Sequence, residues 1–175
     1  KVLGVKVLHD RNCDERTILQ QIKEFEEEIQ IGNLLMRQKI PVPRYIGIIK
    51  IYDSNQNKTK KGLLIEIVEN ETHMYVYFNN KKLDFNSKHF QSSEIFLNIK
   101  YDDFYIRDTN KYFEFDLVNQ YRSSVCNTLN LMVENLGISK FELAKKFEDI
   151  DLQGLYSSKT NIFYLMDFEG WIDFL

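Results

Sequence analysis

The chain has 175 residues, 43% hydrophobic and 14% aromatic, enough for a core in one domain or two small lobes and too apolar for disorder. A formal net charge of -3 and a pI of about 5.7 give no electrostatic reason to expect nucleic acid or an anionic membrane as the main partner. No run approaches the roughly 18 apolar residues of a membrane span, no signal peptide is visible, and Cys13 and Cys126 read as reduced thiols of a cytoplasmic protein rather than a disulfide framework.

Val2 to Leu8 is a β-branched run and predicts a strand. The chain opens inside this run without an initiator Met, as a fragment or a processed product would. His9 and Cys13 lie four apart, but no second pair completes a zinc site. Asp14 can cap a helix that starts at Glu15, in which Ile18, Ile22, Phe25 and Ile29 recur at the spacing of one helical face and Leu34, Leu35 and Met36 extend the apolar surface. Pro41 and Pro43 end it. Tyr45 to Asp53 is the second strand, SNQNKTKKG a polar turn, and Leu63 to Asn70 the third strand.

In the middle, MYVYFNNKKLDF alternates around Asn79-Asn80, a hairpin signal because Asn tolerates positive φ. IFLNIKYDDFYI and KYFEF are candidates for a further strand pair. Leu117, Val118, Tyr121, Val125, Leu129, Met132 and Leu136 form a second helical stripe, which Gly137 is placed to terminate in the left-handed region. Ser139 begins a short helix over 141–147, and Ile162 to Met166 is a final strand that delivers Asp167. The expected fold is α+β: an antiparallel sheet with a helix packed across it over about 1–72, then a hairpin region and a more helical portion over 73–175, together one compact unit.

Lys6 sits among apolar residues of the first strand, and such a lysine is ordinarily an edge residue pointing to water. Glu28 borders the apolar stripe of the following helix, and a glutamate facing the sheet there can pair with Lys6. Partly buried, that pair adds little stability, because desolvation offsets much of the attraction; it makes sense where the lysine is being held still for another task.

With these residues the chain resembles the protein kinase-like superfamily. VLGVKVL looks like the strand carrying the phosphate-binding lysine, EFEEEIQIGNLL like the helix whose glutamate orients it, and IPVPRYIGIIKIYD with GLLIEIVEN like the next two strands and the hinge entry. LNLMVENLGI resembles the end of the long helix before the catalytic loop. YLMDFEGW looks like the metal-binding Asp-Phe-Gly segment in the Asp-Phe-Glu form of aminoglycoside and choline phosphotransferases, and DIDLQGLY aligns with their His-Gly-Asp-Leu loop.

The resemblance implies ATP and magnesium as cofactors. It places Lys6 and Glu28 at the phosphates, backbone groups around Glu66 and Val68 at the adenine, Asp167 at the metal and Asp151 as catalytic base. The departures are specific. Tyr156 stands where the family needs a second metal-binding asparagine, Asp149 replaces the histidine, and no glycine-rich loop precedes Lys6. The resulting expectation is a degenerate kinase-like, pseudokinase-type binding module with weak or no phosphotransferase activity. A protein partner is expected and a nucleotide is a second candidate; nucleic acid and membrane are not. The alternative is an α+β protein-protein interaction module whose docking face uses Tyr75, Tyr77, Tyr101, Tyr105 and Tyr112, and a more distant one is a metal-dependent nuclease built on Asp53, Glu66 and Asp167.

Overall fold

Among the described residues two antiparallel sheets carry the fold. The computed structural model describes residues 3–7, 15–69, 71–78, 98–108, 115–149, 152–168, 170–172 and 175. The first sheet contains β1 (Leu3–Val7), β2 (Tyr45–Asp53) and β3 (Lys58–Glu66) in the order β1-β3-β2. Lys6 lies opposite Leu63 on β3, so β1 is an edge strand. Only residues 54–57 form the turn between β2 and β3. The lysine-rich stretch expected to be loop is strand from Lys58 onward, because Lys58 to Lys61 pair directly with Lys50 to Asp53.

The helix α1 (Glu15–Arg37) packs on this sheet. Its buried face is Phe25, Glu28, Ile31, Gly32 and Leu35, steps of three and four that hold one side of a helix. Ile18, Ile22 and Ile29 pack at the margin, whereas Leu34 and Met36 are exposed, contrary to the apolar extension expected of them. The helix stops before either proline acts. Lys39 adopts φ 60, Ile40 N–H donates to Leu35 C=O and Lys39 N–H to Met36 C=O, the paired bonds of a Schellman cap.

The second sheet is β5 (Phe104–Asp108), β4 (Glu71–Phe78), β6 (Leu152–Ser157) and β7 (Ile162–Met166), in the order β5-β4-β6-β7. It is covered by α2 (Phe115–Leu136) and α3 (Lys140–Asp149). The two helices are as expected. Gly137 is at φ 67, and Ser139 and Glu142 form a reciprocal capping box, with Glu142 N–H donating to Ser139 Oγ at 3.0 Å and Ser139 N–H to Glu142 Oε2 at 2.8 Å.

Two local expectations need correction. The last residue of KYFEF, Phe115, opens α2 rather than lying in a strand, and the described strand of that pair, β5, is joined to β4. The residues after Asp151, read as a catalytic loop, form β6, paired on both sides by β4 and β7. Asn79, Asn80 and the return arm of the expected hairpin lie outside the described residues, as does Asp151 itself.

Candidate functional site

The site begins with a strand, a helix and a strand end that meet. From β1 the Lys6 side chain reaches across to α1, where Nζ donates to Glu28 Oε1 at 2.5 Å. Asp167, the first residue after β7, brings Oδ1 to 3.8 Å from the same nitrogen. The expectation of an edge lysine reaching water holds in part: β1 lies at the sheet edge and Lys6 is exposed, yet its ammonium also meets two carboxylates, one from α1 and one from the end of β7.

Solvent reaches these groups unequally. The Lys6 side chain is 46% exposed and Asp167 30%, whereas Glu28 is 8% exposed. Burial pushes the Glu28 carboxyl above the ordinary range, the hydrogen bond and charge of Lys6 pull it back, and the neighbouring charges of Asp167 and Glu24 add to the rise. Desolvation is the larger influence, so Glu28 is an anchor held at a cost, while Lys6 and Asp167 keep faces toward water. An ammonium and a carboxylate side by side, both accessible, can take a phosphate oxygen and a cation respectively.

Asp167 is held in place by its surroundings. Its backbone is at φ 59, the left-handed region that Asp tolerates better than most residues. The next residue, Phe168, is 1% exposed and Trp171 is fully buried; their rings meet at 5.1 Å, and Phe168 also meets Tyr45 at 5.7 Å. Tyr45 opens β2, and its ring fills the notch left by Gly32: a Cβ on that glycine would lie 2.4 Å from the ring. Neither Tyr45 nor Gly32 was singled out from the sequence. One heads an ordinary-looking strand, the other sits inside a helical stripe, and periodicity carries no record of a pair whose ring and missing side chain are complementary.

Glu66 and Val68 are placed differently. They lie at the end of β3 and in the 67–69 linker, and they line a cleft of about 430 Å³ with Met36, Val42, Arg44 and Tyr164. Lys6, Glu28 and Asp167 are not among its lining residues. Lys159 pairs with Glu69 at the rim, and Ser157 Oγ donates to Glu69 C=O at 2.8 Å.

Tyr156, which the kinase-like resemblance aligns with a metal-binding asparagine, is 1% exposed and donates to Asn161 Oδ1 at 2.7 Å. Among the described residues no three His, Cys, Asp or Glu side chains cluster. The acids proposed for a nuclease are also dispersed: Asp53 faces Lys58 at one end of β3 and Glu66 lies at the other, about 26 Å apart at the usual rise along a strand. Of the tyrosines considered for docking, Tyr77 and Tyr105 stack at 5.0 Å as a cross-strand pair, an arrangement that stabilises a sheet by itself. Tyr112 lies outside the described residues.

No family model, curated protein or solved structure matches this chain.

Proposed function

We propose that the chain is a degenerate kinase-like domain, a pseudokinase-type binding module whose Lys6–Glu28–Asp167 centre takes the phosphates of a magnesium-bound nucleotide. The observation that carries this reading is the position of one ammonium, 2.5 Å from Glu28 and 3.8 Å from Asp167, three groups from three separate elements. The residues present suit the cation in one respect: magnesium is commonly held by one or two carboxylates together with substrate phosphates, and Asp167 offers one partly exposed carboxylate. When bound, magnesium supplies positive charge where phosphoryl transfer concentrates negative charge.

The chain's own residues argue for binding over turnover. Lys6 is the phosphate-facing cation, Glu28 fixes its direction and Asp167 faces the metal. Tyr156 is buried and engaged with Asn161, so it offers no second metal ligand. Asp151 is the proposed base. Backbone groups near Glu66 and Val68 are the proposed contacts for the adenine, and a protein partner is the proposed reader of the bound state. A cytoplasmic location is part of the same proposal, in keeping with the free thiol of Cys126. The interaction-module alternative would gain from a solvent-facing Lys6–Glu28 pair, and Glu28 is instead buried.

Calorimetric titration with ATP, with and without magnesium, tests the assignment. The expected affinity is weak, with Kd about 1 mM or somewhat tighter, equivalent to about −4 to −5 kcal/mol. It should become undetectable in Lys6→Ala and lose its magnesium dependence in Asp167→Asn. Affinity that survives Lys6→Ala, or no uptake of nucleotide by the wild type, contradicts the assignment.

A further inference from the structure

The hairpin of β2 and β3 carries a charge that the whole chain conceals. Lys50, Lys58, Lys60 and Lys61 stand there against the single acid Asp53, in a chain whose net charge is -3. On one face Lys60 pairs with Asp53 at 3.0 Å. The other face is that of Ile48 and its partner Leu63, which is fully buried. Two positions further along that face, Lys50 and Lys61 are direct cross-strand partners, and both are exposed. Residues so placed hold their Cβ atoms about 5 Å apart, and like charges there repel. Neither ammonium has a hydrogen bond or an ion pair among the described residues. A lysine on an edge strand ordinarily guards against unwanted pairing, which accounts for Lys50 on β2 but not for Lys61 on the central strand β3.

We propose that this end of β2 is a docking edge for an acidic, extended segment of a partner protein, which adds as a strand beside β2 and brings carboxylates to Lys50 and Lys61. Among the described residues β2 is an edge of its sheet and nine residues long. Its outward N–H and C=O groups can therefore pair with an added strand whose alternate side chains meet one face. That strand lies about 10 Å from β3, a gap that a glutamate and the Lys61 side chain close by reaching toward each other. Tyr52 is on the same face two positions beyond Lys50; it is 63% exposed, and its hydroxyl donates to Asn57. The ring so held is an apolar neighbour for the side chain that follows the acid. The turn at 54–57 is polar throughout and offers nothing apolar to bury in a membrane. Binding relieves the repulsion between the two lysines, and the inference does not rest on the nucleotide reading.

Backbone-amide NMR titration of the full chain with a blocked peptide of alternating valine and glutamate tests it. Shifts are expected along β2 from Ile48 to Tyr52, fading at high salt, and absent when lysine replaces glutamate in the peptide. Lys50→Gln and Lys61→Gln should each weaken binding about twofold to fivefold, the range of an exposed ion pair. Lys61→Gln should also melt above the wild type, because it removes the cross-strand repulsion; a lower melt strikes the repulsion that motivates the site. No shifts at millimolar peptide, or shifts that spare β2, overturn the proposal. Equal binding by the wild type and the Lys50→Gln, Lys61→Gln double variant overturns it as well. A single-stranded oligonucleotide or phosphatidylserine vesicles that engage these lysines more tightly than the peptide overturn the choice of partner.

Discussion

Glu28 carries two opposed influences. Burial favours its neutral form, and the Lys6 ammonium favours its anion; burial is the larger, so the folded carboxyl lies above its ordinary range. The folded state thus binds this proton more tightly than the unfolded chain does. Through linkage, the group's contribution to stability falls as pH rises through its folded value and is recovered on acidification. Asp53 and Glu69 act in the opposite sense, since Lys60 and Lys159 hold their carboxyls below the usual range and the associated stability is lost on acidification. Comparing wild type with Glu28→Gln by thermal melts isolates the first effect. On lowering the pH from neutrality toward the ordinary glutamate range, the wild type should gain on the variant. A wild type that loses ground there would mean that the Lys6 charge outweighs burial.

At the scale of elements, the fit of Tyr45 to Gly32 joins α1 to β2. Alanine inside a helix is favoured over glycine by about 1 kcal/mol, yet a Cβ here would sit 2.4 Å from the ring, and overpacking of that kind costs about 1–3 kcal/mol. Gly32→Ala should therefore destabilise the wild type by about 1 kcal/mol, and become neutral or stabilising in a Tyr45→Leu background, as read by denaturant unfolding. The coupling between the two positions should be about 1 kcal/mol or more; strict additivity would deny the contact. Elements whose pattern is strong in themselves were legible from sequence: α1, the α2 stripe, the Ser139 cap and β7. β6 was not, because Gln153 and Gly154 dilute its alternation and its identity comes from pairing with β4 and β7. The lysines of β3 look like loop residues for the same reason, being strand through their partners on β2. Within the site, Lys6, Glu28 and Asp167 could be named from residue type and order. Tyr45 could not, since its fit depends on a glycine thirteen positions earlier.

At the scale of the whole molecule, the site exists because the two sheets are fastened together behind it. Leu165 N–H on β7 donates to Pro41 C=O at 2.9 Å, and Asn135 Nδ2 on α2 donates to Gln38 C=O at 2.8 Å. Lys159 in the β6–β7 turn pairs with Glu69 of the linker. These ties hold the α1–β2 connection and the linker against the second sheet, which fixes where Asp167 meets Lys6. The cleft lined by Glu66 and Val68 opens beside the same ties, so the proposed adenine contact and the proposed phosphate contact occupy different surroundings. A backbone-amide NMR titration of the full chain with magnesium and ADP tests the central claim most directly. The account predicts shifts concentrated at Lys6, Asp167 and Phe168 that require magnesium and vanish in Lys6→Ala. Magnesium- and nucleotide-dependent shifts that leave those three amides unmoved would contradict it.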